Sequence, residues 1–219
     1  MEAILPVQNS RGDEQPVRVW CGNYRFARHD PFFKRAVKAG QTYVDENARG
    51  KLVSAEGFRA EMGELRKMAP AEGHVLLDEL EHRWAHPQAP PSLYVVTCEV
   101  CVHHRFALVA GAKKLGQEAL STKVGQASRS LAPRLSAYED KEIGGVSITR
   151  GSLALRVAIY GHGPTMVREG ELKQFARKNG VLLERVDQGG ARRPVTTESY
   201  AGVAMIEGIC AFARERASA

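Results

Sequence analysis

Four side chains near the middle of the chain have the types and spacing of a metal shell. His82 and His86 stand one helical turn apart, and Cys98 and Cys101 follow with two residues between them. Zinc takes imidazole nitrogen and thiolate sulfur in a tetrahedron, and pairs spaced in this way can each reach one ion without backbone strain. The set reads as a Cys₂His₂ site for Zn2+, in the reverse of the usual finger order. His103 and His104 are alternative ligands for a site begun by the cysteines. A second reading stays open beside it. Residues 92–102 are rich in β-branched side chains and read as a strand, where cysteine serves as a small apolar residue. In a straight strand Cys98 and Cys101 face opposite ways, so joint ligation requires a turn.

Catalytic versions of this chemistry lack their parts. A zinc peptidase helix needs glutamate directly after its first histidine, and Arg83 follows His82. A redox Cys-x-x-Cys pair normally opens a helix after a strand, whereas the flanks here read as strand. The order histidine, histidine, cysteine, cysteine resembles that of the small zinc domains at the N-termini of retroviral integrases, with a shorter spacer. The resemblance implies shared ligand chemistry only.

The second candidate chemistry is attraction of polyanions. Lys and Arg number 31 against 25 Asp and Glu, a formal charge of +6, and the excess is unevenly spread. From Arg105 to Leu135 the cations Arg105, Lys113, Lys114, Lys123, Arg129 and Arg134 face only Glu118, among small and polar residues. From Arg18 to Lys38, basic residues that include Arg25 and Arg28 alternate with Trp20, Tyr24, Phe26, Phe32 and Phe33. Cations interleaved with rings suit single-stranded nucleic acid, since phosphates take the charges and bases stack on the rings. The plainer alternative is that the rings pack inward. For Phe32 and Phe33, on a predicted helix, inward packing is the expectation, whereas Tyr24 and Phe26 are left open. Arg192 and Arg193, in a Gly-rich stretch, are further candidates for an anion. Gly161-His162-Gly163 lacks the glycine spacing of a dinucleotide loop and the lysine of a triphosphate loop.

The elements that position these residues can be read from local signals. Short strands are expected at 1–7 and 17–26. Asp30-Pro31 is a helix start, and Gly40 a helix stop. A helix is predicted from Ser54 to Met68, with Phe58, Met62 and Leu65 on one face. In the next, over 75–84, Leu76, Leu77, Leu80 and Trp84 form an apolar stripe, with Glu79, His82 and His86 on another face. Pro87, Pro90 and Pro91 make a stiff connector. Beyond it come a hairpin at 146–160, a helix at 167–179, a strand at 181–186 and a last helix at 198–215.

Strands and helices in this order predict an α+β fold: a mixed, largely helical part followed by a sheet with packed helices, joined by the zinc site. The lobes would be 1–90 and 91–219, or one compact unit. Hydrophobic content of 43% with 26% charged residues is that of a soluble globular chain. No apolar run reaches the roughly 20 residues that cross a bilayer, and no secretory leader is visible, so a cytoplasmic location without membrane contact is expected. The functional expectation is a zinc-stabilised, non-catalytic nucleic-acid-binding subunit (DNA or RNA) of a larger nucleoprotein assembly, of the mobile-element or antiviral-defence kind, with other protein subunits as partners. Two alternatives stand beside it: an enzyme acting on nucleic acid or nucleotide phosphates through His162 or His103, and an adaptor for an acidic protein.

Overall fold

The computed structural model describes residues 3–8, 14–99, 120–138, 153–161, 167–179, 181–182, 184–186, 192–194, 199–201 and 204–218. The fold is α+β, as predicted: antiparallel sheet with helices packed on it. In chain order the elements are β1 (Ala3–Gln8), β2 (Glu14–Arg25), α1 (Pro31–Ala39), a π-helical turn (Gly40–Val44), α2 (Asp45–Ala48), α3 (Ala55–Met68), α4 (His74–Ala85), β3 (Ser92–Glu99), β4 (Leu120–Ala127), α5 (Leu131–Ser136), β5 (Leu153–Gly161), α6 (Glu169–Asn179), β6 (Val181–Leu182), β7 (Glu184–Val186), β8 (Arg192–Pro194), β9 (Ser199–Ala201) and α7 (Ala204–Ser218). Among the described residues, seven strands form one sheet in the order β1-β2-β5-β3-β4-β9-β6, and β7 pairs with β8. No helix among them is long and apolar enough to cross a membrane.

The central strand β3 explains its own sequence. Leu93, Tyr94, Val95 and Val96 are all buried, because helices cover both faces of the sheet. Tyr94 and Val96 join the core under α1, α3, α4 and α5, while Leu93 and Val95 join the core under α6 and α7. A run of apolar residues without alternation is what a strand buried on both faces requires. Strands from 1–90 and from 91–219 lie side by side in this sheet, and both segments feed the first core.

β5 changes face partway along. Val157 and Ile159 belong to one core and Ala158 and Tyr160 to the other, yet Leu155 and Leu153 share the second of these. The cause is Arg156, an extra residue where β3 passes directly from Val95↔Val157 to Val96↔Leu155. β2 is irregular at the same level, between Cys21 and Tyr24, and Arg156 Nη1 donates to Asn23 Oδ1 there at 3.2 Å. The added residue resets the period-two alternation.

Local helix signals are read out directly. The Asp30 side chain accepts from the Phe33 amide at 2.8 Å, and Ser54 accepts from Gly57 at 3.0 Å; such caps are each worth about 1 kcal/mol. Phe32 and Phe33 are buried, as expected, and so are Tyr24 and Phe26. Gly40 does not stop the helix, which continues through the π-helical turn into α2. The last helix begins at Ala204, because Ser199–Ala201 forms β9 on the edge of β4.

Candidate anion-binding cleft

The short helix α5 is fixed from beneath by two buried carboxylates. Asp45 accepts from the Ser130 amide at 3.0 Å and from its hydroxyl at 2.9 Å. Glu79, on α4, accepts from the Leu131 amide at 3.0 Å, the Ser92 hydroxyl at 2.7 Å and Arg83 Nε at 2.9 Å. Arg83 sends further donors to the carbonyls of Pro90 at 2.8 Å and Ala127 at 3.1 Å. Burial pushes the Glu79 carboxyl above its ordinary range, opposed by Arg83, the Leu131 amide and Ser92. Gly40 lets α5 come close: a Cβ there would stand 2.6 Å from Ser130 Oγ and 3.0 Å from the Pro133 ring. Two of the amides that open α5 are thus engaged by protein carboxylates. An anion arriving here meets side chains instead.

Those side chains line two adjoining clefts, of about 660 Å³ and about 360 Å³, which share Gln126, Ser128 and Arg134. They lie beside the part of β4 that follows Lys123; among the described residues of β4, only Ser121, Thr122 and Lys123 pair with β9. Arg129 and Arg49 line the larger cleft, and Lys123 and Lys173 the smaller. Arg134 is anchored, its Nε donating to the Tyr94 hydroxyl at 3.0 Å, which is itself hydrogen-bonded to the Tyr138 hydroxyl. The Tyr138 ring carries Arg134 at 5.5 Å and Lys123 at 5.8 Å from its centroid, contacts worth about 0.5–1 kcal/mol each at exposed sites. Gly125 leaves room for this network, since a Cβ there would stand 2.5 Å from the Tyr94 oxygen.

The acidic residues of the cleft are already occupied. Asp45 is committed to Ser130, and Glu46 pairs with Arg49 and Lys51. The hydrogen bond from Lys51, ahead of Arg49, holds the Glu46 carboxyl below its ordinary range. Glu169 pairs with Lys173 at 3.0 Å. Arg129 and Arg134 make no ion pair among the described residues. Arg129 and Arg134, two residues singled out in the sequence, therefore set the field of the larger cleft, and Lys123, a third, lines the smaller one.

The other predicted residues are placed elsewhere. Arg25 and Arg28 are exposed, but Arg25 pairs with Ala154 at the far end of β5, and three strand steps separate β2 from β4. Arg192 and Arg193 lie on β8, paired with β7. Lys113, Lys114, Cys101, His103, His104 and His162 lie outside the described residues.

Of the expected Cys₂His₂ shell, the described residues include His82, His86 and the backbone of Cys98, and His82 and Cys98 lie apart. A ring nitrogen of His82 bonds the Gly161 backbone, and its ring is 5.8 Å from that of Tyr160 and 4.9 Å from that of His86. Cys98 pairs with Leu153, at the opposite end of β5. At about 3.3 Å per residue, this places the two residues on the order of 20 Å apart, too far to share an ion. The helix and strand carry the right residue types, but β3 runs its whole length between them. Among the described residues no group of three or more His, Cys, Asp or Glu is placed to hold a metal. His82 Nε2 is buried without a hydrogen-bond partner there.

Sequence reasoning missed the residues that build the cleft. Glu79, expected on a helix face apart from the apolar stripe, is fully buried, with Arg83 beside it. The i, i+4 spacing of Glu79 and Arg83 was the available signal. Asp45, Tyr94 and Tyr138 gave none, since their roles depend on pairings across the fold. Comparison of the chain with protein-family models, curated proteins and solved structures gives no match.

Proposed function

We propose that the protein is a non-catalytic nucleic-acid-binding subunit of a larger nucleoprotein assembly, and that it grips the phosphodiester backbone in the cleft beside β4. The observation that carries this reading is that Arg129 and Arg134 line a cleft adjoining the one lined by Lys123, and that the described carboxylates of the two, Asp45, Glu46 and Glu169, are engaged within the protein. Arginine suits phosphate through its planar fork of donors, and a guanidinium already anchored loses less freedom on binding.

The same structure argues for contact with the backbone over contact with bases. Among the described residues the exposed large apolar side chains are Leu52 and Met68, neither of them aromatic. Tyr24 and Phe26, the candidate stacking rings, are core residues. Binding should thus depend weakly on base identity and strongly on salt. Zinc is not needed for this reading. A zinc ion bound through Cys98 would draw its other ligands from nearby in sequence, where Cys101, His103 and His104 lie.

The test is fluorescence anisotropy with labelled single-stranded DNA, duplex DNA and RNA of equal length at low salt. Binding that weakens linearly in log salt, and that is lost in Arg129→Glu/Arg134→Glu with unchanged circular dichroism, supports the proposal. Absence of binding to all three probes refutes it, and competition by an acidic protein that oligonucleotides cannot displace would favour the adaptor.

A further inference from the structure

A second reactive arrangement lies on the opposite face of the sheet from α5. Cys21 follows Val17 and Val19 along β2, and all three sit against the core under α7. Cys210 lies on the buried face of α7 with Ile206, Ile209 and Ala213. Both cysteines are free, Cys21 partly exposed and Cys210 buried, and their thiols are hydrogen-bonded to each other. Arg214, one turn beyond Cys210, acts on both sulfurs, and Arg156 acts on Cys210. Neither cysteine belongs to the cleft or to the expected metal shell.

We propose that Cys21 and Cys210 form a redox-reactive dithiol, which a low-molecular-weight disulfide such as glutathione disulfide converts to an intramolecular disulfide tying α7 to β2. The difference in exposure assigns the roles, since Cys21 is partly open to solvent and Cys210 is buried. The hydrogen bond from Cys210, followed by the charge of Arg214, holds the Cys21 thiol below its ordinary value against the cost of burial. For Cys210 the neighbouring Cys21 and burial act together in the raising direction. Cys21, reachable from solvent, is the attacking thiolate, and Cys210 is the resolving partner.

Cys21 loses its proton and attacks one sulfur of the small disulfide, forming a mixed disulfide and expelling one small thiolate. Cys210 then loses its proton and attacks the Cys21 sulfur, expelling the second small thiolate. Both thiolates take up protons. Two electrons have passed from the cysteine pair to the small disulfide, which leaves as two thiols. The product joins residues near opposite ends of the chain, so it restricts the unfolded chain strongly.

The experiment treats the full chain with glutathione disulfide at mildly alkaline pH and maps peptides without reduction. A Cys21–Cys210 cross-link, two hydrogens lighter than the separate peptides and reversed by reductant, is expected in the wild type. Cys210→Ser should accumulate the glutathione adduct at Cys21. In Cys21→Ser, modification of Cys210 should be about tenfold slower or more, because a buried thiol lacks its exposed partner. The proposal is overturned if the wild type gives only a stable adduct, if Cys21 links to Cys98 or Cys101 instead, or if Cys210 reacts equally fast without Cys21. These readouts are independent of nucleic-acid binding.

Discussion

One carboxylate oxygen of Asp45 holds both polar hydrogens of Ser130, its amide and its hydroxyl, across 85 residues of sequence. This contact sets where α5 begins, and so where Arg129 and Arg134 stand. Asp45→Ala leaves a buried amide and hydroxyl unsatisfied, which should cost about 1–3 kcal/mol in urea unfolding. Asp45→Asn keeps an acceptor oxygen and should cost less. Equal losses for the two would mean that the acceptor is not what matters.

Each phosphate released from contact should show in the salt dependence. Arg129→Ala and Arg134→Ala should each lower the slope of log affinity against log salt by roughly 0.7–0.9, with a nearly uniform loss across base sequences. Loss restricted to one base sequence would point to base readout and away from the backbone.

Glu79 and Arg83 form a buried ion pair in which each partner also holds backbone groups. Glu79→Gln strands the guanidinium, and a loss of about 3–5 kcal/mol is expected. Because the two residues share one network, a double-mutant cycle with Arg83→Met should be non-additive, the pair costing less than the two single losses together. Additive losses would show that the network is not coupled.

Burial pushes the His82 imidazole down to about 4, against an ordinary value of about 6.5. Between those values the unfolded chain binds the proton more readily than the folded one. The contribution of His82 is thus fully present above about pH 6.5 and is lost as pH falls toward 4. Urea midpoints measured at pH 7, 6 and 5 should fall more steeply for the wild type than for His82→Asn. Parallel profiles would place the titration elsewhere.

Zinc per chain, measured by mass spectrometry of the metal, should be the same in the wild type and in His82→Ala. A loss of metal confined to the His82 variant would require Cys98 and His82 to meet, against the register of β3 on β5.

What the sequence made legible was governed by neighbours along the chain. The starts of α1 and α3 follow from Asp30, Pro31 and Ser54, whose side chains act within three residues. The buried stripe of Phe58, Met62 and Leu65 follows from helical spacing. The failures all involve distance. His82 and Cys98, close in number, are held apart by a strand that must run straight to bury Leu93 through Val96 on both faces. Residues 199–201 have their backbone claimed by the edge of β4, so the last helix starts later than its apolar pattern suggests. Of the site, three cations were visible as charge in a polar stretch. The carboxylates and tyrosines that aim them were not, because a buried Asp45 or Tyr94 has the same letter as an exposed one.

The pairing of β2 with β5 also has a kinetic consequence. Val17 meets Gly161 and Arg25 meets Ala154, separations of 144 and 129 residues that must close before β1 and β2 can join the rest of the sheet. During synthesis, the hairpin of β1 and β2 leaves the ribosome long before its partner exists, with Val19 and Trp20 uncovered. Folding should therefore be slow for a chain of this length and sensitive to chaperones that shield an unpaired strand edge. Refolding yield should drop as concentration rises, and a fragment ending before β5 should aggregate.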